Sequence, residues 1–454
     1  MPIYNRFIRL ERGFNMDKFL DGLQDKLGPI ALKLNANKYL GAVRDGFMGA
    51  MSLLILGSLF LLFANLPIPG YADLMANIFG NDWATFFTVP YDVTMNIMTL
   101  FVIIGLSRSL AKSNEIDDLG AVLWALIGFL ILTPISSFEV NEGMSSFLPM
   151  GNFSASGLFL GMLAAMLAVE IMAFVLKRGW RIKLPESVPS NVAKSFDALV
   201  PGLFIIVIFM VIRMLFGATS YETAQTFIFQ IIQTPLTSIG TSLPATVLVI
   251  IIETILFSFG LHGPNIVGGV MQPLWLSTMA ENLAAFQAGL DLPNIVTYQF
   301  YSNFIKVGGA GGTIGLALLC LFVAKSQQFK TLGKLAIGPS IFNINEPLIF
   351  GLPIVLNLVF IIPFVITPLV LTVLSYIVMA TGIVPPTNGV NVPWTTPPVF
   401  SGFLVSGWRG ALWQVVEMGI STAIYFPFFR MEDQKALALE KGQSEEDLYS
   451  ESVN

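Results

Sequence analysis

IFNINEPLIFGLP, residues Ile341 to Pro353, is the stretch on which the rest of the chain turns. A carboxylate, Glu346, stands between Asn345 and Pro347 with apolar sequence on both sides. Gly338, Pro339, Gly351 and Pro353 punctuate the same region. Proline removes a backbone donor and breaks the intrahelical ladder, and glycine permits turns that a continuous helix forbids. The stretch is therefore not an uninterrupted transmembrane helix. Broken backbone at membrane depth is tolerated only where protein buries it or where it lines a wet cavity. An ionisable group there marks a candidate functional site. The plainer alternative is a polar loop between two spans, and the apolar flanks count against it.

Composition sets the class. Of 454 residues, 54% are hydrophobic and 12% charged, against about 25% charged in soluble domains. Many runs approach the roughly 20 apolar residues that cross a bilayer. The expected fold is all-α and polytopic, with about 8–10 transmembrane helices plus re-entrant or broken segments. The net charge of −5 says little, because the charges cluster in loops and tails. The single cysteine, Cys320, has no internal disulfide partner and reads as a small core residue. No cleavable signal is expected, since the first forty residues are amphipathic and charged.

Residues 1–45 carry eight basic side chains, from Arg6 to Arg44, and read as an amphipathic cytoplasmic segment. Spans follow at about 46–66, 92–110, 119–136, 157–176 and 197–217. The intervening loops alternate between basic (107–118, 177–195) and free of Lys and Arg (67–91, 137–156). Because bases mark the cytoplasmic side, both termini are expected there. Arg213 breaks the pattern, and snorkelling to a helix end is its simplest explanation.

The second half is less regular. A short amphipathic helix is expected at 223–240 and a span at about 243–260 containing Glu253. The glycine-rich run SFGLHGPNIVGG (258–269) holds the only histidine, His262. A span at 301–324 opens with Lys306 and the run GGAGGT. Spans at 358–382 and 403–428 flank the proline-rich segment 384–398. Interrupted segments are where transporters place their ligand sites. Four regions follow: 1–45 as the cytoplasmic N-terminal segment, 46–220 as a scaffold and dimerisation half, 221–430 as a substrate-binding transport half, and 431–454 as a cytoplasmic tail.

Three polar clusters fall in the second half: His262 beside Asn265; Asn343, Asn345 and Glu346; and Asn388, Asn391 and Trp394. Amides and carboxylates bind hydroxyls, and flat rings cover the apolar face of a pyranose, so these residue types suit a sugar. If His262 and Glu346 converge, they can orient a sugar hydroxyl and assist its deprotonation. Taken alone, His262 is more often a structural histidine. Glu253 is balanced between structure and site, and Glu417 reads as structural. One histidine and scattered carboxylates make no metal ligand set, no Walker A motif is present, and no basic patch suits nucleic acid. No cofactor is expected.

NINEPLIFGLPIVLN (343–357) together with FGLHGPN (259–265) resembles enzyme IIC, the membrane permease component of the bacterial phosphoenolpyruvate-dependent sugar phosphotransferase system. The likeness is to its lactose/cellobiose/diacetylchitobiose branch and covers nearly the whole chain. One departure is that Asn357 is followed by Leu358, where the family pattern often has Asn-Pro. The resemblance implies a multi-pass protein of the bacterial inner membrane. It implies a homodimer joined through the first spans and a second half that moves a β-linked disaccharide across the bilayer. The sugar is phosphorylated, usually on its 6-hydroxyl, by a phosphocysteine on a separate enzyme IIB that is charged through IIA. Glu346 and His262 match the family's carboxylate and histidine beside that hydroxyl. Asn345 and Trp394 match sugar contacts, and Asn343 and Asn265 are further candidates beside them. The competing expectations are a proton-coupled secondary sugar transporter, with Glu253, Glu346 and Glu417 as proton carriers, and a membrane-embedded enzyme or sensor that moves no cargo.

Overall fold

The computed structural model describes residues 36–442 together with Pro29 and Lys33, except positions 65, 67–69, 141–142, 183–195, 353 and 355–356. The amphipathic helix expected near the N-terminus and the end of the charged tail lie outside the described residues.

The described chain is almost wholly helical. Its elements are α1 (Lys38–Ala64), α2 (Tyr71–Phe79), α3 (Thr85–Asp92), α4 (Met98–Ser113), α5 (Asp118–Leu132), α6 (Leu158–Lys177), α7 (Leu199–Gly217), α8 (Ala224–Gly240), α9 (Leu243–Ser258), α10 (Gly263–Gln287), α11 (Ile314–Phe322), α12 (Gln327–Ile341), α13 (Glu346–Gly351), α14 (Leu358–Ala380) and α15 (Phe400–Glu440). Among the described residues, five segments are long and apolar enough to cross a membrane unaided: Lys38–Leu61, Thr85–Ser113, Ala155–Lys177, Leu199–Gly217 and Val359–Ala380. A sixth arises if the broken pair α8 and α9 counts as one span, and α5 is apolar but shorter. The protein is an all-α, multi-pass membrane protein with interrupted segments.

Two compact units divide it: Asn35–Thr241 with Gly268–Glu281, and Ser242–Val267 with Asn282–Asn454. In the first, α1 and α4 approach backbone to backbone. A Cβ on Gly105 would come within 2.9 Å of the Gly46 Cα. Small residues allow this approach, and dispersion then holds the pair in lipid, where water gives no driving force. Asp117 caps α5 by accepting from the Gly120 N–H at 2.7 Å. Arg213 of α7 donates to the carbonyls of Ile131 and Thr133 at the other end of α5. The snorkelling expected for Arg213 therefore gives way to a specific contact, in which its guanidinium satisfies carbonyls that the end of a helix leaves orphaned. A two-stranded hairpin, β1 (Ser136–Val140) and β2 (Gly143–Phe147), follows α5, where the sequence suggested only a loop. Serines in both strands had masked the alternation that signals a strand.

In the second unit the span expected over 301–324 is not one helix. A π-helical turn covers Phe300–Ile305, a glycine turn follows, and α11 begins only at Ile314. The cause lies in the backbone: Gly308, Gly309, Gly311 and Gly312 all have positive φ, between 61° and 100°. Side chains would strain each of these positions, and four such residues end a helix. A window average of hydropathy cannot register this. Beneath the turn lies an apolar core around Cys320, Phe329, Phe360, Phe364, Tyr425 and Phe429. Cys320 is buried within it, as its apolar run suggested. The tip of the turn is tied to α15, since Tyr425 donates to the Gly311 carbonyl at 2.9 Å.

Candidate functional site

The site is built around the glycine turn of the second unit. Asn343, the first polar residue of the NINEP run, is buried and holds a left-handed φ of 61°. Asparagine tolerates that conformation better than most residues. Its Oδ1 accepts from the Gly308 N–H at 2.8 Å. Its Nδ2 donates to the carbonyls of Trp394 at 2.6 Å and Thr396 at 3.1 Å. Asn345 sends both amide hydrogens to the same turn, to the Ala310 carbonyl at 2.6 Å and the Thr313 hydroxyl at 2.9 Å. The turn can accept this clamp because Gly309 has no side chain: a Cβ there would sit 2.6 Å from the Asn345 Cγ. Three sequence-distant segments, 308–313, 343–346 and 394–396, are thus stitched together.

Glu346 emerges from this clamp as the first residue of α13, with Asn345 before it and Pro347 after it. Asn343 and Asn345 are buried; Glu346 is exposed. Trp394 is 47% exposed, so its indole is available to lie on a ligand while its carbonyl is fixed by Asn343.

His262 comes to the same unit from the other side. Its Nδ1 accepts from the Asn265 N–H at 3.3 Å, which makes it the cap of α10. With Nδ1 engaged as an acceptor, a neutral ring carries its proton on Nε2. Gly263 lies directly on α9, where a Cβ would stand 2.0 Å from the Glu253 carbonyl oxygen. The turn at 259–263 therefore doubles back on the helix that carries Glu253. The His262 ring packs 5.4 Å from Phe257, and Phe257 packs 5.7 Å from Phe364. Phe364 in turn fills the space left by Gly311. Electrostatic interactions run from His262 to Lys306, Glu253 and Glu346. His262 and Glu346, far apart in sequence, belong to the same compact unit.

Sequence reasoning weighed Glu253 without a partner and gave Lys306 no role. They form an ion pair, Nζ to Oε1 2.7 Å, with side chains 14% and 2% exposed. Tyr301 donates to the other carboxylate oxygen of Glu253 at 2.5 Å, and Lys306 also bonds the Tyr301 hydroxyl. The opposite charges at 253 and 306 inside apolar segments were the available signal, since a buried charge must be paired. Glu417 is fully buried and accepts from Ser375 at 2.6 Å, as expected of a structural carboxyl. Asn388 donates to the Leu404 carbonyl at 2.9 Å, and Asn391 accepts from Gln299 at 2.9 Å. These amides brace the proline-rich segment on which Trp394 sits.

An exposed carboxylate, a histidine, an indole and a buried cation gathered beside broken helices suit recognition of a polyhydroxylated solute and movement of a hydroxyl proton. Comparison with known proteins gives the family. The family model described as "Phosphotransferase system, EIIC" matches residues 44–368. The lichenan permease IIC component of Bacillus subtilis (strain 168) is 41% identical over 430 residues, which is 93% of this chain and 95% of that protein. The cellobiose-specific EIIC component of Geobacillus stearothermophilus is 42% identical over 436 residues, 94% of this chain and 97% of that one. The crystal structure of ChbC, the IIC component from the N,N'-diacetylchitobiose-specific phosphotransferase system, superimposes with a TM-score of 0.89 at 39% identity and covers 93% of this chain and all of that one. The chain belongs to the EIIC permease family of the phosphotransferase system.

Proposed function

We propose that this protein is the sugar permease of a phosphoenolpyruvate-dependent phosphotransferase system, taking up a β-linked disaccharide of the cellobiose, lactose or chitobiose type. The disaccharide crosses the bacterial inner membrane and presents a hydroxyl, the 6-hydroxyl by family likeness, to the phosphocysteine of a separate IIB, itself recharged by IIA. Residues 221–430 carry the sugar, and residues 46–220 form the scaffold of a homodimer. Both termini face the cytoplasm.

The observation that carries the reading is the clamp at NINEP. Asn343 and Asn345 fix the backbone, and Glu346 is left exposed in the unit that also holds His262. Glu346 takes the hydroxyl proton as the sugar oxygen attacks phosphorus. An O–P bond forms, the S–P bond breaks, and the thiolate leaves on IIB. His262 orients the same hydroxyl. Trp394 covers an apolar sugar face, Asn265 offers its exposed amide beside His262, and Asn343 and Asn345, their amides spent within the clamp, serve the sugar by holding Glu346 and Trp394 in place.

The test uses proteoliposomes loaded with phosphorylated IIB, or with none, and a labelled β-disaccharide outside. Sugar phosphate inside only when IIB is present is the expected result. One observation supports a second, proton-coupled reading: the Glu417 carboxyl is fully buried within apolar sequence. Free sugar accumulating on a proton gradient would replace the first reading with that proton-coupled one.

A further inference from the structure

Phosphoryl transfer spreads negative charge over three oxygens in the transition state and is catalysed mainly by positioning and by fixed positive charge. Glu346 is an anion and opposes that charge. His262, its Nδ1 occupied as an acceptor in this structure, is a neutral imidazole there. Neither group is a cation. Lys306 is the ammonium of the unit's buried ion pair, with the Glu253 carboxylate 2.7 Å away. It leads directly into the glycine turn that Asn343 and Asn345 clamp, and its ammonium interacts electrostatically with His262. It sits in a buried ion pair with Glu253. Such a pair adds little net stability, because desolvating both ions offsets their attraction. A lysine inside apolar sequence therefore calls for a reason beyond packing.

Resting on the phosphotransferase reading above, we propose that Lys306 is the cation that receives the transferring phosphoryl group, exchanging Glu253 for phosphoryl oxygens as IIB delivers its phosphate. The local hydrogen bonds permit the exchange. Glu253 keeps the Tyr301 hydroxyl on its second oxygen at 2.5 Å, so its carboxylate is not orphaned when the ammonium swings away. The ammonium also sits 3.9 Å from the centre of the Tyr301 ring, a cation–π contact that does not depend on Glu253. Four flexible methylenes supply the reach. Lys306 forms and breaks no covalent bond. The hydroxyl proton goes to Glu346, and the S–P electron pair goes to the IIB thiolate.

The experiment compares wild type, the paired neutral variant E253Q/K306M and the charge-keeping variant K306R, all as full-length protein in proteoliposomes with phosphorylated IIB. Removing both charges together avoids stranding a buried ion. E253Q/K306M is expected to bind the disaccharide with a Kd within about threefold of wild type while its kcat for transfer falls at least about 100-fold, as when one oxyanion donor is deleted. K306R is expected to restore more than about a tenth of the wild-type kcat, because the charge is kept. Transfer by the double variant within about threefold of wild type would make the pair structural and overturn the proposal. So would loss of sugar binding in the double variant, or an arginine variant no more active than the methionine one. A wild-type protein that makes no sugar phosphate would instead overturn the reading on which the proposal stands.

Discussion

Ion pairs separate the two units. In the unit built from Asn35–Thr241 and Gly268–Glu281 their side chains are partly or largely exposed: Lys38 with Glu170 at 36% and 33%, Arg108 with Asp118 at 62% and 38%. In the unit built from Ser242–Val267 and Asn282–Asn454 the pair of Lys306 and Glu253 is at 14% and 2%, and Glu417 is fully buried. Exposed pairs contribute little and are easily exchanged. Buried ones cost desolvation and persist where they do something. The first unit thus has small residues between helices and polar groups closing helix ends. The second places its polar groups inside, at the expense of helical continuity. Substitutions should accordingly act on stability in the first unit and on chemistry in the second.

The sharpest way to break that contrast is Glu346→Gln. The amide keeps the shape and can still hydrogen-bond a sugar, but it cannot take a proton. Transfer from phosphorylated IIB should fall by about 10²–10⁴-fold, with disaccharide affinity little changed. The sugar-phosphate yield and a parallel binding titration check both halves. Undiminished transfer would remove Glu346 from the chemistry. Asn343→Ala probes the clamp instead. It strands the Gly308 N–H and two carbonyls and puts alanine at a φ of 61°. A loss of about 3 kcal/mol is expected, read as a lowered midpoint of unfolding in detergent.

The clamp also shows where the sequence stops informing. That NINEP breaks a helix was legible, because proline, glycine and a charge within a few residues act locally. Sequence alone could state a meeting of His262 and Glu346 only as a condition. The partners of Asn343 lie 35 and 51 positions away, at Gly308 and Trp394, and no local pattern announces them. The glycine turn was seen as composition, yet its run of positive φ, which divides the span expected at 301–324, is a property of the folded backbone. Arg213 likewise stood out as an anomaly. Its partners at Ile131 and Thr133 are 82 and 80 residues distant, and only the fold supplies them.

Two smaller effects sharpen the contrast further. Trp394→Ala should weaken disaccharide binding by about 2 kcal/mol if the indole lies on a sugar ring, measured by calorimetric titration. Stability should change little, since Trp394 enters the clamp through its backbone carbonyl. Arg213→Met, in the first unit, should do the opposite. It removes the caps on two carbonyls and should cost about 1 kcal/mol of thermal stability while transfer per folded molecule stays at the wild-type rate. A transfer defect in Arg213→Met with stability intact would dissolve the division of labour between the units.

The weakest expected effect lies at the far end of α15. Glu440 accepts from the backbone N–H groups of Gln327 at 3.0 Å and Gln328 at 2.9 Å, the first residues of α12. Those amides hold its carboxyl below the ordinary value, because they favour the charged form. A carboxyl with a folded value below its unfolded one adds stability above the unfolded value and loses it as pH falls through the folded one. Acidification should therefore loosen the start of α12. Hydrogen exchange at Gln327 and Gln328 reads this directly when wild type is compared with Glu440→Gln at each pH, which cancels the intrinsic pH dependence of exchange. The excess protection in wild type should be constant near neutrality and shrink as the carboxylate protonates. Asp433 accepts from the Lys325 N–H at 2.8 Å and from the Ser326 N–H at 3.0 Å, and these bonds keep the preceding turn in place in both proteins. The change should therefore stay confined to the first turn of α12, and a difference spreading to Asn343 would mean that this surface contact reaches the NINEP clamp.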